Sequence, residues 1–87
     1  MIIAFSQTAW AEFEQLAQDR RLLKRANQLI ADIQRGGSSG IGKPERLSGD
    51  LSGFWSRRIG SQHRLVYRIT SEDVLEIVRC YGHYADT

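Results

Sequence analysis

Residues 54–81 read Phe-Trp-Ser-Arg-Arg-Ile-Gly-Ser-Gln-His-Arg-Leu-Val-Tyr-Arg-Ile-Thr-Ser-Glu-Asp-Val-Leu-Glu-Ile-Val-Arg-Cys-Tyr. Three runs rich in β-branched and aromatic residues, 54–59, 63–69 and 74–81, are separated by the polar turns 60–62 and 70–73, which predicts three strands. Turns this short join neighbouring strands head to tail, so the strands form an antiparallel meander. Alternation puts Leu65, Tyr67 and Ile69 on one face of the middle strand and Arg64, Val66 and Arg68 on the other. By the same rule Leu75, Ile77, Arg79 and Tyr81 oppose Val74, Glu76, Val78 and Cys80 in the last strand.

Upstream of the meander the period changes. Residues 2–5 form a short β-prone run ended by Ser6, a good helix N-cap. Trp10, Phe13, Leu16 and Ala17 then recur at helical spacing, with Glu12, Glu14 and Gln18 on the outer side. Asp19 can cap a second helix whose stripe is Leu22, Leu23, Ala26, Leu29, Ile30 and Ile33, and Gly36-Gly37 ends it. Residues 36–43 are rich in glycine and serine and read as a flexible loop before Pro44. The segment lacks P-loop spacing, and no helical pattern follows it. The expected architecture is α+β: a strand, two antiparallel helices, then the meander, in two layers with one sheet face partly open.

Size and composition narrow the function. Eighty-seven residues, 41% of them hydrophobic, suit one domain over 1–87 with a modest core. One cysteine rules out an internal disulfide, and one cysteine with two histidines is a poor zinc set, so no metal or cofactor is expected. No apolar run approaches the ~20 residues of a membrane span, and the N-terminus does not read as a signal peptide, so a soluble cytoplasmic protein without membrane contact is expected. The net charge of +2 hides an asymmetry. Residues 35–68 hold seven bases, six of them arginine, against two acids, whereas residues 69–87 hold one base against four acids. Clustered guanidinium suits phosphate; it equally suits a solvated basic surface or ion pairs with the acidic tail.

Within that basic stretch, Glu45 lies beside Lys43 and Arg46. It reads either as a surface ion-pair partner or as a carboxylate kept ionised by cations and ready to take a proton. His83, just past the last strand, can donate or accept a proton near neutrality; a terminal His-Tyr pair is also compatible with an idle tail. His63 reads as structural or orienting, and Cys80 as a small core residue. Glu45, Arg64 and His83 together are a base, an anion stabiliser and an acid, the parts that RNA cleavage through the ribose 2′-hydroxyl requires.

Four segments, Gly42-Lys43-Pro44-Glu45, Leu51-Ser52-Gly53-Phe54-Trp55-Ser56-Arg57-Arg58-Ile59, His63-Arg64-Leu65-Val66-Tyr67 and His83-Tyr84, closely resemble the YoeB/Txe family of bacterial toxins, within the wider RelE-type superfamily. The resemblance implies a microbial-ribonuclease-like fold and a ribosome-dependent messenger RNA interferase that cuts the codon in the A site. It implies Glu45 as general base, Arg64 as phosphate stabiliser, His83 as general acid and Tyr84 as an RNA-positioning residue. Lys43, Arg46, Arg57, Arg58 and Arg68 are the implied or candidate RNA-binding cations. The implied partners are a YefM/Phd-like antitoxin, the ribosome and messenger RNA, with operator DNA reached only through the antitoxin; a homodimer is also considered. The sequence departs from the family pattern at Ser48, where relatives often carry lysine, at Tyr81-Gly82, where the glycine is expected to loosen the backbone, and in the extension Ala85-Asp86-Thr87. A non-cleaving RNA- or ribosome-binding inhibitor is the alternative reading.

Overall fold

The computed structural model describes residues 1–36 and 39–82; His83, Tyr84 and the extension after them lie outside the described residues. The elements run β1 (Ile2–Phe5), α1 (Gln7–Leu16), α2 (Arg20–Gly36), β2 (Glu45–Arg46), a 3-10 turn (Gly49–Leu51), β3 (Trp55–Arg58), β4 (Arg64–Ile69) and β5 (Val74–Arg79). Both predicted caps form. The Ser6 hydroxyl oxygen accepts from the Ala9 N–H at 3.0 Å and donates to the Val78 carbonyl at 3.1 Å, tying the start of α1 to β5. Asp19 Oδ1 accepts from the N–H groups of Arg21 and Leu22 at 2.9 and 3.3 Å.

The meander β3–β4–β5 is antiparallel as expected, but it is the centre of a mixed five-stranded sheet in the order β1-β5-β4-β3-β2. β1 lies parallel to β5, from Ile2 opposite Val74 to Phe5 opposite Ile77. At the other edge, the two-residue β2 pairs with β3 through Glu45–Ser56 and Arg46–Trp55. Both helices cover one face. The core joins Ala9 and Leu16 of α1, Ala26, Leu29, Ile30 and Ile33 of α2, and Ile59, Leu65, Tyr67, Leu75, Ile77 and Cys80.

Three expectations need correction. Trp10 is 50% exposed; the sheet-facing side of α1 is set by Ala9, whose small side chain lets the helix approach closely enough for the Cys80 thiol to reach the Ala9 carbonyl at 3.4 Å. Glu12, predicted to face outward, instead turns toward the end of β5. Lastly, the β4–β5 register shifts between Val66, opposite Arg79, and Tyr67, opposite Ile77, so Val78 is the extra residue of a β-bulge. The bulge breaks the period of two, and Cys80 returns to the core with Leu75 and Ile77. None of these changes leaves a helix long and apolar enough to cross a membrane among the described residues.

Candidate active site

Cross-strand partners project from the same face of a sheet, so the register sorts the candidate residues. One row runs Glu45–Ser56–Val66 across β2, β3 and β4, and one step of two residues away Arg58 stands directly opposite Arg64. Glu45, Arg58, Arg64 and Arg68 therefore belong to the face turned away from the helices, around the buried Ser56 and Val66. The Cα atoms of Glu45 and Val66 are two strand spacings apart, about 10 Å, and Arg64 lies two residues farther along β4 on the same face. Two arginines directly opposite each other repel. Arg64 is half-buried, and its Nη1 is shielded from solvent with no hydrogen-bond partner among the described residues. A buried donor left unpaired is costly, and an anion bridging the two arginines would relieve both penalties.

The remaining candidates divide. Arg68 shares the face, but its Nε donates to Glu76 Oε1 at 2.7 Å and its guanidinium lies 5.0 Å from the Phe54 ring centre. Arg46 points to the other side of the two-residue strand, 5.4 Å from the Trp55 ring centre, where it lines a cleft of about 310 Å³ with Leu47, Ser52, Gly53, Phe54 and Trp55. Arg57 is not on an RNA-accessible surface at all. It is 0% exposed, because its place opposite Leu65 sends it into the helix-covered layer. There Nε donates to the Tyr67 hydroxyl at 3.0 Å, Nη1 to Asp32 Oδ2 at 2.6 Å and to the Ile41 carbonyl at 3.1 Å, and Nη2 to the Ser39 carbonyl at 3.1 Å. Arg57 thus binds the glycine-rich segment rather than RNA. The described part of that segment is pinned, not flexible: the Arg58 N–H also donates to the Gly42 carbonyl at 2.7 Å. Lys43 leaves it with φ of 53°, the left-handed region unusual for a side-chain-bearing residue.

At the other end of the site, the chain is stitched down just before position 83. His63 Nδ1 accepts from the Gly82 N–H at 2.8 Å, and the Arg64 N–H donates to the Gly82 carbonyl at 3.1 Å. The His63 ring stacks on Tyr81 with centres 4.2 Å apart, which agrees with an orienting role. Gly82 holds φ of 98°, so the glycine permits a left-handed turn that is hydrogen-bonded on both sides rather than loosening the chain. Glu12 supports the same stretch: its carboxylate accepts from the N–H groups of Cys80 and Tyr81 and pairs with Arg79.

Charge states follow from these contacts. Burial pushes the Glu12 carboxyl up, but the Arg79 hydrogen bond and the Cys80 and Tyr81 amides outweigh it and leave the pKa lowered. The Arg57 hydrogen bond, followed by the Ile41 amide, lowers Asp32. Burial, followed by the Glu12 charge, pushes the Cys80 thiol up to about 12, which removes it as a nucleophile near neutrality. Among the described residues no three His, Cys, Asp or Glu side chains are grouped to hold a metal. Sequence reading missed Glu12 and Asp32, since each looks like an ordinary helix carboxylate until its partner, 67 and 25 residues away respectively, is in place.

Comparison with known proteins places the sequence and its fold in a family. The family described as YoeB-like toxin of bacterial type II toxin-antitoxin system matches residues 5–84. A curated Toxin YoeB of Streptomyces coelicolor is 52% identical over 85 residues, covering 97% of this chain and 100% of that protein. Among solved structures, a YoeB/ParE toxin from Agrobacterium tumefaciens superposes with a TM-score of 0.92 at 40% identity, covering 97% of this chain and all of the other. The YoeB–YefM complex from Staphylococcus aureus contains a chain that superposes with a TM-score of 0.87 at 38% identity, covering 97% of this chain and 98% of that one. This chain belongs to the YoeB-like toxin family of bacterial type II toxin–antitoxin systems.

Proposed function

We propose that this toxin is an endoribonuclease that cuts messenger RNA in the ribosomal A site and so stops translation. The observation that carries the reading is the Arg58–Arg64 pair on the Glu45 face, with a solvent-shielded Arg64 donor that has no partner among the described residues. A phosphate offers that donor an acceptor and offsets the like-charge pair.

In the proposed reaction, Glu45 takes the proton of the ribose 2′-hydroxyl, and the 2′-oxygen attacks the adjacent phosphorus. Arg64 stabilises the phosphorane charge as the P–O5′ bond breaks. His83 gives its proton to the departing 5′-oxygen. Tyr84 positions the RNA, while Lys43 and Arg58, with Arg68 and the edge residue Arg46, hold flanking phosphates. The acid–base set balances the protons by itself, so the step is assigned no metal. A toxin that acts on ribosomes in this way would act in the cytoplasm. The likeness to the toxin of the YoeB–YefM complex supports a YefM-like antitoxin as partner, with operator DNA bound through that antitoxin; the likeness to a YoeB dimer from Staphylococcus aureus, 40% identical at a TM-score of 0.87, supports a homodimer.

The test compares a transcript free in solution with the same transcript on programmed ribosomes, with chelator present. Cutting only on ribosomes, leaving a 2′,3′-cyclic or 3′-phosphate end, is expected. Glu45→Gln and His83→Gln should each lose about 10²-fold or more in rate. Arrest of translation by both variants without any cutting would favour the non-cleaving inhibitor instead.

A further inference from the structure

We propose that the ion pair of half-buried Asp32 with buried Arg57 is a positioning element for cleavage, setting the backbone that presents Lys43 and Glu45; this role rests on the nuclease reading above. Four contacts converge on one short stretch. Ile41 is held by both of its backbone groups, its N–H donating to Asp32 Oδ2 at 3.1 Å and its carbonyl accepting from Arg57 Nη1 at 3.1 Å. The same Asp32 oxygen and Arg57 nitrogen bond each other at 2.6 Å. The Ser39 carbonyl accepts from Arg57 Nη2, and Gly42 is tied to β3 through the Arg58 N–H.

The loop glycines fit this clamp closely. A Cβ on Gly40 would lie 1.9 Å from Asp32 Oδ2, and one on Gly42 would lie 2.6 Å from a Leu29 methyl. Only Gly42, Lys43 and Pro44 separate Ile41 from Glu45, and Lys43 among them adopts a left-handed φ directly before a proline, a residue position that normally prefers extended backbone. Glu45 itself sits in a ladder of two residues, too short to hold its direction alone. A packed hydrophobic side chain at position 57 would cost less to bury than a guanidinium. What the arginine adds is its donor fork, two arms of which reach the loop carbonyls.

The experiment measures single-turnover and steady-state cleavage on programmed ribosomes, together with amide hydrogen exchange, for Asp32→Asn, Asp32→Glu, Arg57→Lys and Gly40→Ala. In Asp32→Asn and Arg57→Lys, kcat should fall about 10- to 100-fold, the scale of an ångström-sized misplacement, with KM within about threefold. The amides of Ile41 and Arg58 should exchange faster in the same variants, and Asp32→Glu should recover part of the kcat lost in Asp32→Asn. Unchanged kcat in Asp32→Asn, or lost kcat with unaltered protection at Ile41 and Arg58, overturns the proposal. Should Asp32→Asn fail to fold, Gly40→Ala decides: it pushes the loop off the carboxylate while leaving both charges in place, and wild-type kcat in it also overturns the proposal. If the wild-type chain does not cut messenger RNA on programmed ribosomes, the nuclease reading fails, and the positioning role falls with it; unaltered exchange in the variants would show that the clamp itself is absent as well.

Discussion

Cys80 shows how far an environment can retire a reactive group. Its thiol is fully buried, faces the Ala9 carbonyl and has its pKa pushed up to about 12 by desolvation and then by the Glu12 carboxylate. At pH 8 the thiolate fraction is on the order of 10⁻⁴. Native protein should therefore react with a thiol-alkylating reagent about 10³-fold more slowly than urea-unfolded protein, read as the labelling rate by mass spectrometry. Comparable rates in the two states would refute the buried placement. Glu12, which supplies part of that shift, also receives the amides at the end of β5, so one helix carboxylate both quiets the cysteine and steadies the chain leading to Gly82.

Between β3 and β4 the sheet carries a liability at Arg58 opposite Arg64. Like charges directly opposite each other weaken a ladder by a few tenths of a kcal/mol to about 1 kcal/mol. Arg58→Thr should thus leave stability in urea unchanged or raise it by up to about 1 kcal/mol. The same variant should cut about tenfold more slowly or worse, the scale of one lost charge-assisted hydrogen bond to phosphate. A clear stability loss with unchanged cutting would mean that the pair is structural. The neighbouring bulge at Val78 matters at this scale too, since it sends Cys80 into the core beside Ala9 and so brings the end of β5 against α1.

Across the whole molecule, two lowered carboxylates bind the helical layer to the sheet: Glu12 from α1 to Arg79, and Asp32 from α2 to Arg57. A carboxyl whose folded pKa lies below its unfolded value, about 4, stabilises the fold above that value and loses the contribution as pH falls through the folded one. The urea midpoint should therefore drop as pH is lowered from 5 toward 2. Glu12→Gln and Asp32→Asn should each have lower midpoints at pH 7 and a shallower acid dependence. A slope identical to wild type in both variants would show that neither group is linked to folding.

The helices, their caps and the three-strand meander could be read from the chain because each depends on neighbours within a few positions: an apolar stripe at helical spacing, Ser6 or Asp19 before it, a polar turn between β-prone runs. The chemical types at Glu45 and Arg64 were legible for the same reason. Which face each base occupies was decided only by tertiary structure. Arg57 and Arg58 are adjacent and chemically identical, yet one is sealed beneath α2 and the other stands opposite Arg64. A single residue step in a strand moves a side chain through the sheet, and nothing local distinguishes the arginine whose partner is Asp32, 25 residues away. The parallel seat of β1, the two-residue strand that carries Glu45 and the bulge that redirects Cys80 likewise arise from long-range pairing, where the backbone satisfies its hydrogen bonds against strands that the local sequence does not name.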